Sequence, residues 1–123
     1  MVCHFIGKLI AGAGFAALAL SLSTSSWAAD LTDAQAKTMF NDKGCNACHG
    51  VDELRIGPSY RDIATRYADG PINILELLAL KIRHGGAGAW GIVPMVSNPN
   101  VSPDEADALA RWILKQQEDA QTR

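Results

Sequence analysis

The sequence predicts a small all-α domain in which helices and long loops wrap around one central bound group. Helical periodicity with matching start and stop signals recurs along the chain, and no stretch alternates convincingly with the period of a strand. Two long irregular stretches, Gly50 to Pro58 and Gly85 to Val101, interrupt the helices. Loops of that length are uncommon in a compact domain unless they do something.

The first segment, 1–28, reads as a secretory signal and not as part of the fold. Lys8 supplies a positive start, Leu9 to Leu22 is an apolar run, and Ser26 and Ala28 are the small residues that precede a cut after Ala28. The apolar run is too short to span a bilayer core of about 30 Å comfortably. Cys3 precedes that run instead of ending it, unlike a lipoprotein cysteine. The remaining domain, 29–123, carries ten basic and thirteen acidic residues, a charge of −3, which argues against a nucleic-acid partner. Its core is small, so a large buried cofactor would help it fold.

The helices follow in order. Thr32 and Gln35 have capping-box spacing, with Asp33 in the first turn, and the helix should run to about Asp42 before Gly44 stops it. A weaker helix is expected near Tyr60 to Tyr67, broken by Asp69, Gly70 and Pro71. A stronger one is expected from Ile72 to Arg83, with Leu75, Leu78, Ala79 and Ile82 on one face and Gly85-Gly86 at its end. The last begins most clearly. Ser102 is the N-cap candidate, Pro103 takes the first helical position and Glu105 completes a capping box. Ala106, Leu109, Ala110, Trp112 and Ile113 form its apolar face, and fraying is expected after Gln117.

The domain holds two cysteines, Cys45 and Cys48, two histidines, His49 and His84, and two methionines, Met39 and Met95. Cys45-Asn46-Ala47-Cys48-His49 reads as a c-type haem attachment motif. Two thiols at that spacing can each add to a haem vinyl group, while the adjacent imidazole meets the iron. The competing readings are a thioredoxin-like redox pair, a structural disulfide and half of a zinc site. No strands precede the motif as a redox pair wants, and a zinc site needs four ligands. Export itself favours disulfides, so that reading stays open here.

Met95 is the candidate sixth ligand. It lies deep in the second loop, just before the last helix, on the side of a central haem away from His49, with Pro94 stiffening its approach. A thioether ligand raises the reduction potential. Core filler is the alternative role for Met95. Met39, within the first helix, reads as packing, and His84 as a helix-end cation. An iron bound by His84 instead would have a lower potential.

The stretch from Met39 to Gln117 resembles bacterial cytochrome c551, also called cytochrome c8, a class I cytochrome c family. The resemblance rests on Lys43-Gly44-Cys45-x-x-Cys48-His49, Gly57-Pro58-Ser59-Tyr60, Gly88-Ala89-Trp90-Gly91, Pro94-Met95, and Ser102-Pro103-Asp104-Glu105-Ala106 before Ala110-Arg111-Trp112. It implies that the Pro58 carbonyl accepts a hydrogen bond from the free ring nitrogen of His49. It also implies that Trp90 donates to a haem propionate, that Lys81 lies near a propionate, and that Asn98 hydrogen-bonds near the ligand sulfur. Gly44 would let the first helix cross the last one closely, near Trp112. One departure stands out: Val96 follows Met95 where the family usually has proline, which loosens the loop and bears on the potential.

With both axial positions filled, substrate chemistry at iron is disfavoured and outer-sphere electron transfer remains. The expectation is a periplasmic, monomeric, non-enzymatic carrier of single electrons with one covalent haem c and no membrane span after cleavage. Its redox partners would dock transiently at a haem edge. The resemblance implies a membrane quinol-oxidising complex as donor, and a terminal oxidase or nitrite reductase as acceptor. Three alternatives belong to other classes: a haem-based ligand sensor or peroxidase-like protein with displaceable Met95, a non-haem thiol–disulfide protein, and a subunit of a larger haem enzyme.

Overall fold

A computed structural model describes residues 30–121, with side chains through Gln117. The expected signal at 1–28 lies outside the described residues. Four α-helices follow in order: α1 Asp33–Asp42, α2 Tyr60–Tyr67, α3 Ile74–His84 and α4 Pro103–Gln121, with a 3-10 turn at Cys45–Ala47 after α1. Among the described residues, the only extended pairing is an isolated antiparallel bridge between Gly86 and Met95. No helix among them is long and apolar enough to cross a membrane.

The sequence-predicted caps form. Gln35 N–H donates to Thr32 Oγ1 at 3.3 Å, and Thr32 N–H donates to Gln35 Oε1 at 2.9 Å. Glu105 N–H donates to Ser102 Oγ at 3.2 Å, and Ser102 N–H donates to Glu105 Oε2 at 2.8 Å. Each box satisfies two of the backbone donors that a helix start leaves without intrahelical partners. α2 has its own cap at Ser59, whose Oγ accepts from Asp62 N–H at 3.0 Å and donates to Asp62 Oδ2 at 2.7 Å.

α3 begins later than expected. Ile72 is fully exposed and belongs to a turn in which Ile74 N–H donates to the Pro71 carbonyl at 2.8 Å, so the helix starts at Ile74. α4 runs past Gln117 to Gln121, beyond the expected fraying point.

α4 packs against both α2 and α3. Its buried face, Ala106, Leu109, Ala110, Trp112 and Ile113, is the one the periodicity predicts. Phe40 of α1 joins the core through a cluster of rings. It stacks on Tyr60 at 4.2 Å and meets Trp112 edge-on at 5.2 Å. Trp112 Nε1–H donates to Asp33 Oδ1 at 3.0 Å, so the start of α1 is tied to the middle of α4. At the other end of α1, Lys43 pairs with Glu105 at 2.9 Å.

Gly44 stops α1 as expected, but it serves no close helix crossing. A Cβ there would meet nothing within 4 Å, so no close helix crossing demands a glycine. Its φ of +76° does, because the chain turns from α1 into the cysteine segment through the left-handed region.

Candidate functional site

The site is built from two walls. The first starts at Gly44, where the left-handed turn redirects the chain into Cys45–Ala47. His49 N–H and Cys48 N–H both return to the Cys45 carbonyl, at 3.0 and 3.1 Å. This compact turn gathers both thiols and the imidazole on one side. Both cysteines are unbridged and partly buried. Burial pushes the Cys45 thiol above its ordinary range.

His49 is held on three sides. Its Nδ1 lies 2.7 Å from the Pro58 carbonyl oxygen. A carbonyl only accepts, so Nδ1 carries the proton and Nε2 keeps its lone pair free to bind a metal. Tyr60 stacks on the imidazole at 5.7 Å, within 20° of parallel. Gly57 closes the remaining approach: a Cβ there would lie 2.5 Å from His49 Cε1. The Gly50–Pro58 loop is therefore the bracket of the histidine, with Gly57 N–H donating to the Cys48 carbonyl at 2.8 Å.

The second wall is the loop after α3. Gly86 and Met95 exchange both backbone hydrogen bonds at 2.9 Å, which closes the loop at its base and sets Met95 at the cavity edge, half-buried. Between the walls lies a cavity of about 470 Å³ lined by Cys45, Cys48, His49 and Met95, and by apolar side chains such as Ile63, Leu78, Ile82 and Leu109. The volume falls in the usual range for cofactor sites.

The other expected residues also reach this cavity. Pro58, Lys81, Trp90 and Asn98 all line it. Trp90 is about two-fifths exposed, with the Arg66 guanidinium 4.5 Å above its ring. Asn98 spends a side-chain N–H on the Lys43 carbonyl, at 3.0 Å, while its backbone N–H goes to the Arg83 carbonyl at 2.9 Å. That ties the segment after Met95 to the end of α1 and to α3. His84 is exposed at the end of α3, outside the cavity lining, and Met39 is buried in the core.

The residues fit haem c. Two thiols, a histidine with a free Nε2 and a thioether line one cavity, and that cavity is predominantly apolar. Tyr60 Oη is buried on the His49 wall without a hydrogen-bond partner, and burial drives the phenol far above its ordinary range. No group of three or more His, Cys, Asp or Glu side chains converges as a metal-ion site among the described residues, so the zinc reading finds no ligand set.

Two contacts escape sequence reasoning. Arg66 reads as an ordinary basic residue in the last turn of a helix, and nothing local links it to Trp90. Tyr60 reads in the sequence as a helix start and part of the Gly-Pro-Ser-Tyr element, and its stacking on His49 is a tertiary fact.

Comparison with known proteins gives the family. The family model for cytochrome c matches residues 34–117. Cytochrome c-551 of Pseudomonas aeruginosa is 41% identical over 95 residues, covering 77% of this chain and 85% of that protein. Cytochrome c-552 of Hydrogenobacter thermophilus is 49% identical over 72 residues, covering 58% of this chain and 71% of that one. The crystal structure of wild-type Nitrosomonas europaea cytochrome c552 superposes with a TM-score of 0.62 at 42% identity, covering 65% of this chain and 98% of that one. A cavity walled by an attachment motif is thus joined by family, sequence and fold: the chain belongs to the class I cytochromes c, in the cytochrome c551 family of electron-transport proteins with covalently bound haem c.

Proposed function

We propose that this chain is an exported carrier of single electrons in which Cys45 and Cys48 anchor the haem and His49 and Met95 are the axial ligands. The observation that carries the reading is that Cys45, Cys48, His49 and Met95 all line one predominantly apolar cavity. Haem c supplies the one-electron change between Fe(III) and Fe(II). The chain's own residues do the rest. The Pro58 carbonyl fixes the His49 tautomer, and the Gly57 and Tyr60 contacts hold the ring so that it need not reorient between oxidation states. Apolar side chains keep water from the interior of the cavity, while Leu54, Ile56, Val93 and Val96 line it and remain exposed, leaving an apolar rim for brief docking of redox partners.

Three supporting roles belong to the same reading. Trp90 and Lys81 line the cavity where an indole N–H and an ammonium suit carboxylates of the cofactor. Asn98 orders the segment after Met95 through the Lys43 carbonyl, and its second amide N–H is the one assigned toward the ligand sulfur. A quinol-oxidising membrane complex as donor, and a terminal oxidase or nitrite reductase as acceptor, follow from the family resemblance; work in the periplasm follows from the signal pattern of 1–28.

Visible spectra of the full chain, produced with haem-attachment machinery, test this. The expected result is a low-spin c-type spectrum with the weak sulfur–ferric band, lost in Met95→Ala. A high-spin spectrum, or a band absent from the wild type, removes Met95 from the iron and brings forward the sensor or peroxidase-like alternative. No covalent haem rejects the reading.

A further inference from the structure

The ligand loop has an unusual support. From Gly86 to Met95 its regular backbone hydrogen bonds, among the described residues, are internal: Gly86 with Met95 at 2.9 Å in both directions, and Gly88 N–H to the Gly91 carbonyl at 3.0 Å. Ala87, Gly88, Gly91, Ile92, Val93 and Pro94 are all exposed. After Met95 the chain continues through Val96 and Ser97, without a proline to stiffen it, and Val96 is three-quarters exposed. A loop of this kind is pinned at its base and free at its tip. Trp90 is near that tip, and its ring lies 4.5 Å beneath the Arg66 guanidinium, which projects from the last turn of α2. Tyr67, the next residue of α2, lines the cavity, as does Trp90. The contact therefore joins the α2 side of the cavity to the loop that carries Met95.

We propose that Arg66 is a positioning residue for Met95, acting through Trp90 as a latch that holds the ligand loop against α2. The inference rests on the assignment of Met95 as axial ligand. A guanidinium over an indole face is held by the ring quadrupole and by stacking, and Arg suits the role better than Lys because its plane matches the ring. The latch lowers the population of an open loop in which the Met95 sulfur has left the iron. It supplies from the side the restraint that the Val96-Ser97 sequence does not supply along the chain.

Two readouts on the holoprotein test it. The first is amide hydrogen exchange at Gly86, Gly88 and Met95, whose N–H groups are bonded within the loop. Arg66→Gln should speed exchange there about two- to five-fold, the range expected for a cation–π contact at an exposed site, with core amides of α4 unchanged. The second is displacement of Met95 from ferric iron by added imidazole, followed by loss of the sulfur–ferric band. Arg66→Gln should tighten apparent imidazole binding by a similar factor, and Arg66→Lys should restore most of the wild-type value. In a Trp90→Leu background the Arg66→Gln effect should vanish, because the latch has no ring to hold.

Unchanged loop exchange in Arg66→Gln overturns the latch. Faster exchange without tighter imidazole binding overturns its action on Met95. An equal Arg66→Gln effect with and without Trp90 overturns the route through Trp90. A wild type without the sulfur–ferric band defeats the Met95 assignment, and the positioning role with it, while loop exchange still decides whether the Arg66–Trp90 contact holds the loop.

Discussion

His49 Nδ1 donates to the carbonyl oxygen of Pro58 across 2.7 Å, and Gly57 packs against the same imidazole so closely that a Cβ would come within 2.5 Å of His49 Cε1. One dipeptide thus sets both the tautomer and the position of the histidine. The ring cannot retreat, because Tyr60 stacks behind it and is itself packed on Phe40.

Gly57→Ala should therefore be costly despite adding a single methyl group. Either the imidazole or the Gly50–Pro58 loop must shift, and overpacking of this kind costs about 1–3 kcal/mol. Urea unfolding of the holoprotein measures the loss, and the reduction potential should move with it as the His49–iron geometry changes. Wild-type stability together with a wild-type potential would show that the loop yields freely.

Gly44→Ala separates the two ways a glycine can matter. A Cβ at Gly44 finds open space, yet its φ of +76° lies where L-residues are strained. The expected cost is about 1–2 kcal/mol, from backbone conformation alone. Gly44→Asn should recover part of it, since asparagine tolerates the left-handed region better. Thermal unfolding of the three proteins gives the order glycine, asparagine, alanine. Equal stability of all three would mean that the turn relaxes.

The demands on these two glycines are tertiary or conformational, whereas other features are legible in the sequence. Helix starts are local: Thr32 with Gln35 and Ser102 with Pro103 and Glu105 can be read within four residues, and both boxes form. The apolar face of α4 is equally local. The start of α3 is less legible, because Ile72 fits an apolar pattern while the Pro71 carbonyl holds a turn to Ile74 N–H ahead of the helix. Gly44 reads both as a helix stop and as a close-packing site, because a glycine between a helix and a motif looks the same in sequence whether φ or space requires it; only the stop holds. At the site, Cys45, Cys48 and His49 stand out by spacing, and Met95 as a candidate by its place beside Pro94 in the loop before the last helix. The Gly86–Met95 bridge, the Arg66–Trp90 contact and the Asn98 bond to the Lys43 carbonyl join residues distant in sequence, and no period or cap encodes them.

Trp112→Phe should weaken the junction of α1 and α4. The indole N–H bonds Asp33 Oδ1 at 3.0 Å, and the ring meets both Phe40 and Tyr60 edge-on. Phenylalanine keeps part of the packing but loses the donor, and a hydrogen bond to a charged group contributes about 1.5–3 kcal/mol. The loss should appear in thermal unfolding of the holoprotein. Asp33→Asn in the Trp112→Phe background should then cost little more, because the partner is already gone. Additive losses would show that Asp33 stabilises α1 through its dipole instead.

Glu105 gives a pH dependence with a definite sign. Burial alone would raise its carboxyl, but the Ser102 N–H and the Lys43 ammonium outweigh that and hold it below the ordinary glutamate range. A carboxylate whose folded value is depressed contributes stability above its unfolded value, near 4.3 for a glutamate, and loses that contribution as pH falls through the folded value. Glu105→Gln can still accept from Ser102 N–H, so what it removes is the pairing with Lys43, 2.9 Å away and about one-fifth exposed on both sides. At pH 7 the variant should be less stable by about 0.5–1 kcal/mol. The gap should narrow as pH falls below about 4 and at high salt, where the Debye length is shorter. Urea unfolding of both proteins at pH 7 and pH 3.5 measures it. A gap that is constant with pH would place the contribution of Glu105 in the cap and not in the ion pair.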